Sequence, residues 1–211
     1  MDTFTYRLNH DLGFAPNPFF GWCTLACCMS KIREHAGLGD IIIGMAGSDE
    51  RKGLGRIHPQ LIYWMQVEET LTFDEYWSDS RFVRKMPEIR GPKFKVVGDR
   101  TYRHDPLTGE WKFEVSMHYI PGAPQKNGGY VRKDTKRDRL LLSRRFTYWG
   151  KSGPELPDRL ITLFPTRQGH RRHGLDEENI EELHRILDIN NPRGMVGEPA
   201  DWDNPRYFRE G

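Results

Sequence analysis

Residues 39–45 read Gly-Asp-Ile-Ile-Ile-Gly-Met, and their three adjacent isoleucines are typical of a buried β-strand. We therefore predict a strand over 40–45, followed by a polar, glycine-containing loop at 47–55. Residues 3–8 and 61–67 have the composition of two further strands. Strands separated by short segments with helical patterns indicate an α+β fold.

Three helices are predicted around these strands. An apolar pattern over 24–35 ends in glycines, which are common helix stops. Thr72 and Glu75 have the spacing of a capping box, in which each side chain accepts a hydrogen bond from a free backbone N–H at the start of a helix. Near the C-terminus, a helix over 175–189 has an apolar stripe and Asp176 as its N-cap.

The centre of the chain is rich in turns. The Asp-Pro-Leu-Thr-Gly stretch at 105–109 predicts a hairpin loop, and Asn-Gly-Gly at 127–129 predicts a further turn. The strands predicted in this part of the chain are 102–103, 111–115, 140–143 and 146–149.

The charge of the chain is unevenly distributed. The formal net charge is only +2, but residues 1–80 carry −5, residues 81–151 carry +11 and residues 152–211 carry −4. A basic centre between acidic flanks predicts a polyanionic partner such as DNA, RNA or a nucleotide. The alternative is that the central cations pair with acidic side chains when the chain folds.

Composition narrows the class of protein further. No stretch approaches the roughly 20 apolar residues of a membrane span, and the N-terminus lacks the basic and apolar regions of a signal peptide. Three cysteines, Cys23, Cys27 and Cys28, cannot form a closed disulfide framework. We therefore expect a cytoplasmic protein with no membrane association.

No catalytic or cofactor motif is present, so we predict no cofactor and no metal and leave the catalytic residues unknown. The three cysteines have no matching downstream pair for zinc. Two alternatives stay open. One is Cys23 as a nucleophile with a histidine, and the other is an acid–base or metal cluster at a histidine and two aspartates. The residues concerned are His10, His35 and His118 for the first, and His118, Asp134 and Asp138 for the second.

Several segments resemble a prokaryotic family called nucleotide modification associated domain 2, within the PUA-like superfamily that includes EVE, ASCH and YTH domains. Gly39-Asp40 before an apolar strand is a feature of that superfamily. The segments that carry the family resemblance are 11–19, Cys23-Thr24-Leu25-Ala26, Lys31-Ile32-Arg33, Tyr63, Tyr76-Trp77, Arg81-Phe82, Lys85, Leu141-Leu142-Ser143, Phe146 and Tyr148-Trp149-Gly150.

The resemblance implies a PUA-like mixed β-barrel with short helices, a central strand-rich insert and a C-terminal helix. It also implies a link to base modification or phage defence in prokaryotes, and a base held in an aromatic-lined pocket. We expect one domain over 1–190, with a basic insert at about 86–145 and a C-terminal tail at 191–211.

Candidate ligands for a base lie mainly in the family-like segments. Amides and carboxylates read base edges, and aromatic rings stack on base faces. The alternatives are that the rings pack in the core and that the polar side chains stabilise their own turns. The base- or nucleotide-binding candidates are Asp11, Asn17, Trp22, Thr24, Tyr63, Trp77 and Trp149.

Candidate ligands for phosphate are cations of the same segments and of the basic centre. Thr24 is expected to cap the helix over 24–35, whose start then offers N–H groups to a phosphate. The alternative is that these cations are merely solvated. The phosphate-binding candidates are Lys31, Arg33, Arg81, Lys85, Arg144 and Arg145.

Three functions follow from these patterns. The first is a nucleic-acid or nucleotide binding protein that recognises a modified base. The second is an enzyme that modifies a nucleobase or nucleotide, with the loop 11–24 as its active site. The third is a non-catalytic partner subunit of a defence complex, with a protein as its partner; the oligomeric state is left open.

Overall fold

A computed structural model gives the fold and describes residues 1–47, 60–116, 127–167, 169–174, 178–204 and 208. The chain forms two compact units. Unit 1 comprises 1–12, 36–68 and 143–211, and unit 2 comprises 13–35 and 69–142. The single domain predicted over 1–190 stays a prediction.

Short elements make up both units. The strands are β1 Thr3–Leu8, β2 Cys23–Leu25, β3 Ile41–Ala46, β4 Leu61–Gln66, β5 Glu69–Leu71, β6 Tyr102–His104, β7 Trp111–Phe113, β8 Leu140–Ser143, β9 Phe146–Tyr148, β10 His170–His173 and β11 Gly194–Met195. The α-helices are α1 Ser30–His35, α2 Phe73–Ser78, α3 Lys93–Val96, α4 Asn127–Thr135, α5 Asp158–Ile161 and α6 Glu178–Leu187.

Unit 1 is built on a six-stranded mixed sheet in the order β10-β1-β3-β4-β9-β11. The predicted strand with the three isoleucines is β3, which lies parallel to β1 and antiparallel to β4. Every residue of β3 is buried, as its apolar sequence requires. The predicted barrel is wrong for the described residues, because β10 and β11 are the edges of an open sheet and no closed barrel forms.

One face of this sheet carries the main apolar core of unit 1. Ile43 and Trp64 are opposite one another on β3 and β4 and pack with Leu183 and Leu187 of α6. The Trp64 indole N–H donates to the carbonyl oxygen of Leu187 at 3.1 Å. The predicted C-terminal helix is thereby confirmed over Glu178–Leu187, while its expected N-cap Asp176 lies outside the described residues.

Unit 2 contains two small sheets. One has the order β2-β8-β5, and the other is the hairpin of β6 and β7. The predicted hairpin is confirmed, with Tyr102 opposite Phe113 and His104 opposite Trp111. Helices α1 to α4 belong to the same unit.

Sequence signals that depend on neighbouring residues are confirmed for one helix start and three strands. The Thr72 hydroxyl accepts from the Glu75 N–H at 3.2 Å, and the Glu75 carboxylate accepts from the Thr72 N–H at 2.7 Å. This is the predicted capping box, and α2 begins at Phe73. The strands predicted at 3–8, 40–45 and 61–67 are β1, β3 and β4 within one residue at each end.

Two local predictions are wrong. Residues 23–25 form β2 instead of the start of a helix, because Thr24 exchanges two backbone hydrogen bonds with Asn17, at 2.8 and 2.9 Å. Helix α1 begins only at Ser30, so Thr24 caps no helix. Residues 127–129 form the start of α4 instead of a turn.

The described part of the chain contains no helix with the length and apolar character needed to cross a membrane. Most of the predicted loop at 47–55 lies outside the described residues.

Candidate functional site

Two of the predicted base-binding residues lie in a buried polar cluster of unit 2. The Lys85 ammonium donates to the Asn17 carbonyl oxygen at 2.9 Å, the Asn17 Oδ1 at 2.7 Å, the Trp22 carbonyl oxygen at 3.0 Å and the Thr24 hydroxyl at 3.0 Å. The Thr24 hydroxyl in turn donates to Asp99. Asn17, Thr24, Lys85 and Asp99 are all buried, so the loop into β2 is fixed from inside the unit.

Burial shifts the pKa of the ionisable groups in this cluster. Burial lowers the pKa of Lys85 to about 8, although the nearby Asp99 charge opposes the shift. Burial also raises the pKa of Asp99, which Lys85 offsets in part. Tyr76 donates to the other Asp99 oxygen at 2.7 Å, and burial raises its pKa well above the usual value. Every oxygen of Asp99 and the ammonium of Lys85 are thus occupied by the protein itself.

Cys23, the nucleophile in one of the open alternatives, belongs to the same interior. It is fully buried, and burial, the largest cause, raises the pKa of its thiol. A buried thiol with a raised pKa has little thiolate to attack a substrate. The other alternative requires His118, which lies outside the described residues.

The predicted phosphate ligands of unit 2 other than Lys85 differ in burial and in their partners. Arg33 is buried, and its guanidinium donates to backbone carbonyl oxygens, including those of Cys28 at 3.0 Å and Arg137 at 2.9 Å. Arg81 forms a two-pronged ion pair with Glu69, at 2.7 and 2.8 Å. Lys31 is exposed. The phosphate-binding role of these residues stays a prediction.

The remaining predicted ligands lie in unit 1. The Asp11 carboxylate accepts from the Tyr148 hydroxyl and from the Ala200 N–H at 2.9 Å, and the side chain is buried. The Tyr63 hydroxyl is 2.9 Å from that of Tyr6. Three further candidates lie elsewhere in the unit, with different exposures. These are the buried Trp149, the exposed Arg144 and the half-buried Arg145.

Two predicted aromatic ligands of unit 2 have arginine guanidinium groups against their rings. The Arg81 guanidinium carbon is 5.1 Å from the ring centre of Trp22. Trp77 has two such neighbours, Arg103 at 3.9 Å and Arg100 at 5.0 Å. Both rings are half-buried, so each has an accessible edge or face.

A groove with a volume of about 980 Å³ lies between the β6–β7 hairpin and α4 of unit 2, and we call it the Trp111 groove. Residues of an antiparallel hairpin that are two apart or directly opposite share a face, so Trp111 and Phe113 face the same side as Tyr102 and His104. Phe113 is 41% exposed. The groove lining comprises Trp111, Phe113, Val131, Arg132, Lys133 and Lys136, with two further small residues.

The indole of Trp111 is held in place by its neighbours. The His104 ring lies with its centre 3.7 Å from that of Trp111, and Phe73 contacts Trp111 edge-on at 5.6 Å. His104 is itself fixed by Asp74, which accepts from its backbone N–H at 2.7 Å and lies 2.8 Å from its ring nitrogen. A ring fixed in this way presents a stacking surface at little cost in side-chain entropy.

Helix α4 is anchored by the one aspartate on its inner side. Asp134 is buried and accepts from the Tyr102 hydroxyl at 3.0 Å and the Cys28 N–H at 2.8 Å. With Asp134 pointing inward, its neighbours Arg132 and Lys133 are exposed and line the groove.

The cations of the groove differ from several others in the basic centre. Arg81, Lys95, Arg103, Lys112 and Arg137 each form an ion pair with a carboxylate of unit 2. Within the part of the chain that the structure describes, neither Arg132 nor Lys133 forms an ion pair or a side-chain hydrogen bond. The groove therefore has positive charge that the described residues do not neutralise.

Sequence reasoning missed this arrangement, although a usable signal is present. Trp111 and Phe113 alternate along a predicted hairpin strand, which places both rings on one face. The basic stretch 132–137 follows at a distance in sequence, and the turn predicted at 127–129 hid the helix that carries it.

The chemistry that these residues support is recognition of an aromatic, negatively charged ligand. Fixed aromatic rings stack on bases, and unpaired cations attract phosphate. Among the described residues, no group of three or more His, Cys, Asp or Glu side chains is placed to hold a metal ion.

Comparison with known protein families gives a match over almost the whole chain. The model of a family described as nucleotide modification associated domain 2 matches residues 1–206. No curated protein and no solved structure matches the chain. The family match includes both compact units.

Proposed function

We propose that this chain, which belongs to the nucleotide modification associated domain 2 family, binds a nucleotide or nucleic-acid strand in the Trp111 groove. The description of the family associates the chain with nucleotide modification. In our proposal a base, including a modified one, stacks on the aromatic wall of the groove, and its phosphates contact Arg132 and Lys133.

The observation that carries this proposal is that a half-buried ring and an exposed ring line the same groove as unpaired cations. Trp111 and Phe113 line it from the hairpin, and Arg132, Lys133 and Lys136 line it from α4 and the residue after it. Base stacking on an aromatic side chain contributes about 1–3 kcal/mol and tolerates different bases. The cations add a salt-dependent attraction to the phosphates of any strand.

The proposal is tested by replacing an exposed ring of the groove. Phe113→Ala is expected to weaken the binding of a labelled single-stranded oligonucleotide by about 5- to 150-fold, the equivalent of about 1–3 kcal/mol. Fluorescence anisotropy titrations with DNA, RNA and free nucleotides give the dissociation constants and also separate the three ligand classes.

Phe94→Ala is the matched control for this measurement. Phe94 also belongs to unit 2 and is 37% exposed, but it is not part of the groove lining. Its replacement is expected to leave the dissociation constant unchanged. Equal effects of the two substitutions, or no binding to DNA, RNA or nucleotides by the wild-type protein, would contradict the proposal.

The same titrations address the finer parts of the proposal. A preference for oligonucleotides with a modified base over matched unmodified ones would support recognition of the modification and the link to base modification or phage defence. The enzyme and the partner subunit stay alternatives. A changed nucleotide mass after incubation would favour the first, and copurification of a protein that survives nuclease treatment would favour the second.

A further inference from the structure

Trp77 lies against two guanidinium groups in unit 2. The guanidinium carbon of Arg103 is 3.9 Å from the ring centre, and that of Arg100 is 5.0 Å away. Burial lowers the pKa of Arg100, and the nearby Arg103 charge adds to this shift, whereas the Asp79 charge opposes it.

The two nearby carboxylates form ion pairs with arginines other than Arg100, Asp79 with Arg81 and Glu114 with Arg103. Arg81 binds Asp79 through its Nε at 2.8 Å, and Asp79 also caps the 3-10 turn that begins at Ser80. Glu114 pairs with Arg103 at 2.7 Å. Neither carboxylate forms an ion pair with Arg100.

Arg100 is a buried cation without hydrogen-bond partners for its side chain. It is only 7% exposed, and its Nε is buried with no acceptor among the described residues. No other side-chain hydrogen bond or ion pair of Arg100 occurs within the described ranges. The terminal nitrogens of Arg100 also have no acceptor among the described residues but are not fully buried, so a ligand can supply acceptors to them.

We propose that Arg100 and Arg103, beside Trp77, form a phosphate-binding site. Arginine presents several N–H donors in a planar fork that fits phosphate oxygens, and a phosphate supplies both the missing charge and the missing acceptors. The indole of Trp77 supports the two side chains through cation–π contacts.

The phosphate site and the Trp111 groove lie on opposite faces of the β6–β7 hairpin. The inference about the ligand that follows rests on the function proposed for the groove. Successive strand residues point to opposite faces, so Arg103 faces away from the side that carries His104 and Trp111. One nucleotide therefore cannot occupy the groove and the Arg100–Arg103 site together. A strand that passes around the hairpin can occupy both, and the substrate class is a polynucleotide rather than a mononucleotide.

The phosphate site is tested first without any nucleic acid. Sodium pyrophosphate is expected to raise the melting temperature of the wild-type protein and to have a much smaller effect on Arg100→Met. Without pyrophosphate, Arg100→Met is expected to melt at or above the wild-type temperature, because an apolar side chain replaces a buried cation that forms no ion pair or side-chain hydrogen bond among the described residues. A lower melting temperature with an unchanged pyrophosphate effect would overturn the proposal and give Arg100 a purely structural role.

The second test uses oligonucleotides at several salt concentrations. Loss of one phosphate contact lowers the slope of log K against log salt by about 0.7 for a single strand. Arg100→Met and Arg103→Met are each expected to show this loss and to weaken binding roughly tenfold or more. Arg90→Met is the matched control, because it removes an exposed cation of the same basic segment.

The two proposals fail in distinguishable ways. If Phe113→Ala weakens oligonucleotide binding and the Arg100 and Arg103 variants behave like Arg90→Met, binding in the groove is supported and the phosphate site is contradicted. If no oligonucleotide binds but pyrophosphate stabilises only proteins with Arg100, the phosphate site is supported and the proposed binding of a nucleic-acid strand is contradicted. Arg103→Met keeps the test decisive if Arg100→Met does not fold.

Discussion

Lys85 holds the loop that leads into β2 by donating to oxygens of Asn17, Trp22 and Thr24. An ammonium group that is removed from water is stabilised only when its hydrogen bonds are replaced and a counter-charge is near. Here the loop supplies the acceptors and Asp99 supplies the charge. At the scale of a residue, a buried cation thus fixes an otherwise irregular segment.

Lys85→Met is expected to lower the free energy of unfolding by about 3–5 kcal/mol, because it leaves the buried Asp99 charge and several oxygens uncompensated. Urea denaturation gives the value. Lys95→Met is the control, since its ion pair with Glu88 is at the surface and contributes about 1 kcal/mol or less. Similar losses for both substitutions would show that the buried cluster contributes no more than an exposed pair.

At the scale of an element, β3 shows how one glycine shapes a sheet. The register aligns Tyr6, Gly44, Tyr63 and Tyr148 in a row across β1, β3, β4 and β9. Without a side chain at Gly44, the Tyr6 and Tyr63 hydroxyls approach to 2.9 Å above β3. A Cβ at this position would lie 2.4 Å from a ring carbon of Tyr63 and 2.6 Å from a methyl carbon of Leu8.

Gly44→Ala is therefore expected to lower the free energy of unfolding by about 1–3 kcal/mol through overpacking. Gly37→Ala is the control, because its Cβ would meet only Asp40 at an ordinary 3.7 Å. We expect it to change stability by no more than about 0.5 kcal/mol. If urea denaturation shows that Gly44→Ala loses no more stability than Gly37→Ala, the tyrosine row relaxes around the added methyl group.

At the scale of the whole molecule, the net charge of +2 says little about where an anion binds. Many cations of the basic centre are neutralised by carboxylates of their own unit, as Arg81 is by Glu69. Among the described cations that form no ion pair, Arg132 and Lys133 line the Trp111 groove. Local pairing, rather than composition, thus determines the electrostatic field that a ligand meets.

Lys133→Gln and Arg185→Gln lower the formal net charge by the same amount but are expected to act differently on binding. Lys133 lines the Trp111 groove, whereas Arg185 is an exposed residue of α6 in unit 1. Lys133→Gln should weaken oligonucleotide binding several-fold and reduce its salt slope by about 0.7, and Arg185→Gln should change neither. Equal effects, measured by anisotropy at several salt concentrations, would show that net charge alone governs binding.

Much of the secondary structure follows from local patterns in the sequence. The isoleucine run of β3, the capping box of Thr72 and Glu75, and the apolar stripe of α6 depend on neighbours within a few residues. The resemblance to the nucleotide modification associated domain 2 family is confirmed by the family match. The candidate ligands drawn from the family-like segments stay predictions.

Other features depend on contacts between residues far apart in the sequence. The strand at Thr24 forms because Asn17 pairs with it, and α4 is held in place because Asp134 meets Tyr102 and Cys28. These contacts replace the helix expected at 24 and the turn expected at 127. They also determine which cations of the basic centre are left without a partner.

The sequence by itself determined the α+β class, the main strands and the basic centre, because apolar periodicity, capping and charge are properties of the chain. The family followed from the resemblance of particular segments. Only the tertiary structure decided that the large sheet is open within the described residues, that Lys85 is buried and that Trp111 meets Arg132 and Lys133 across a groove. The physical reason is that burial and ion pairing depend on which distant residues come within a few ångströms of one another. That distance is fixed by packing, which no local pattern encodes.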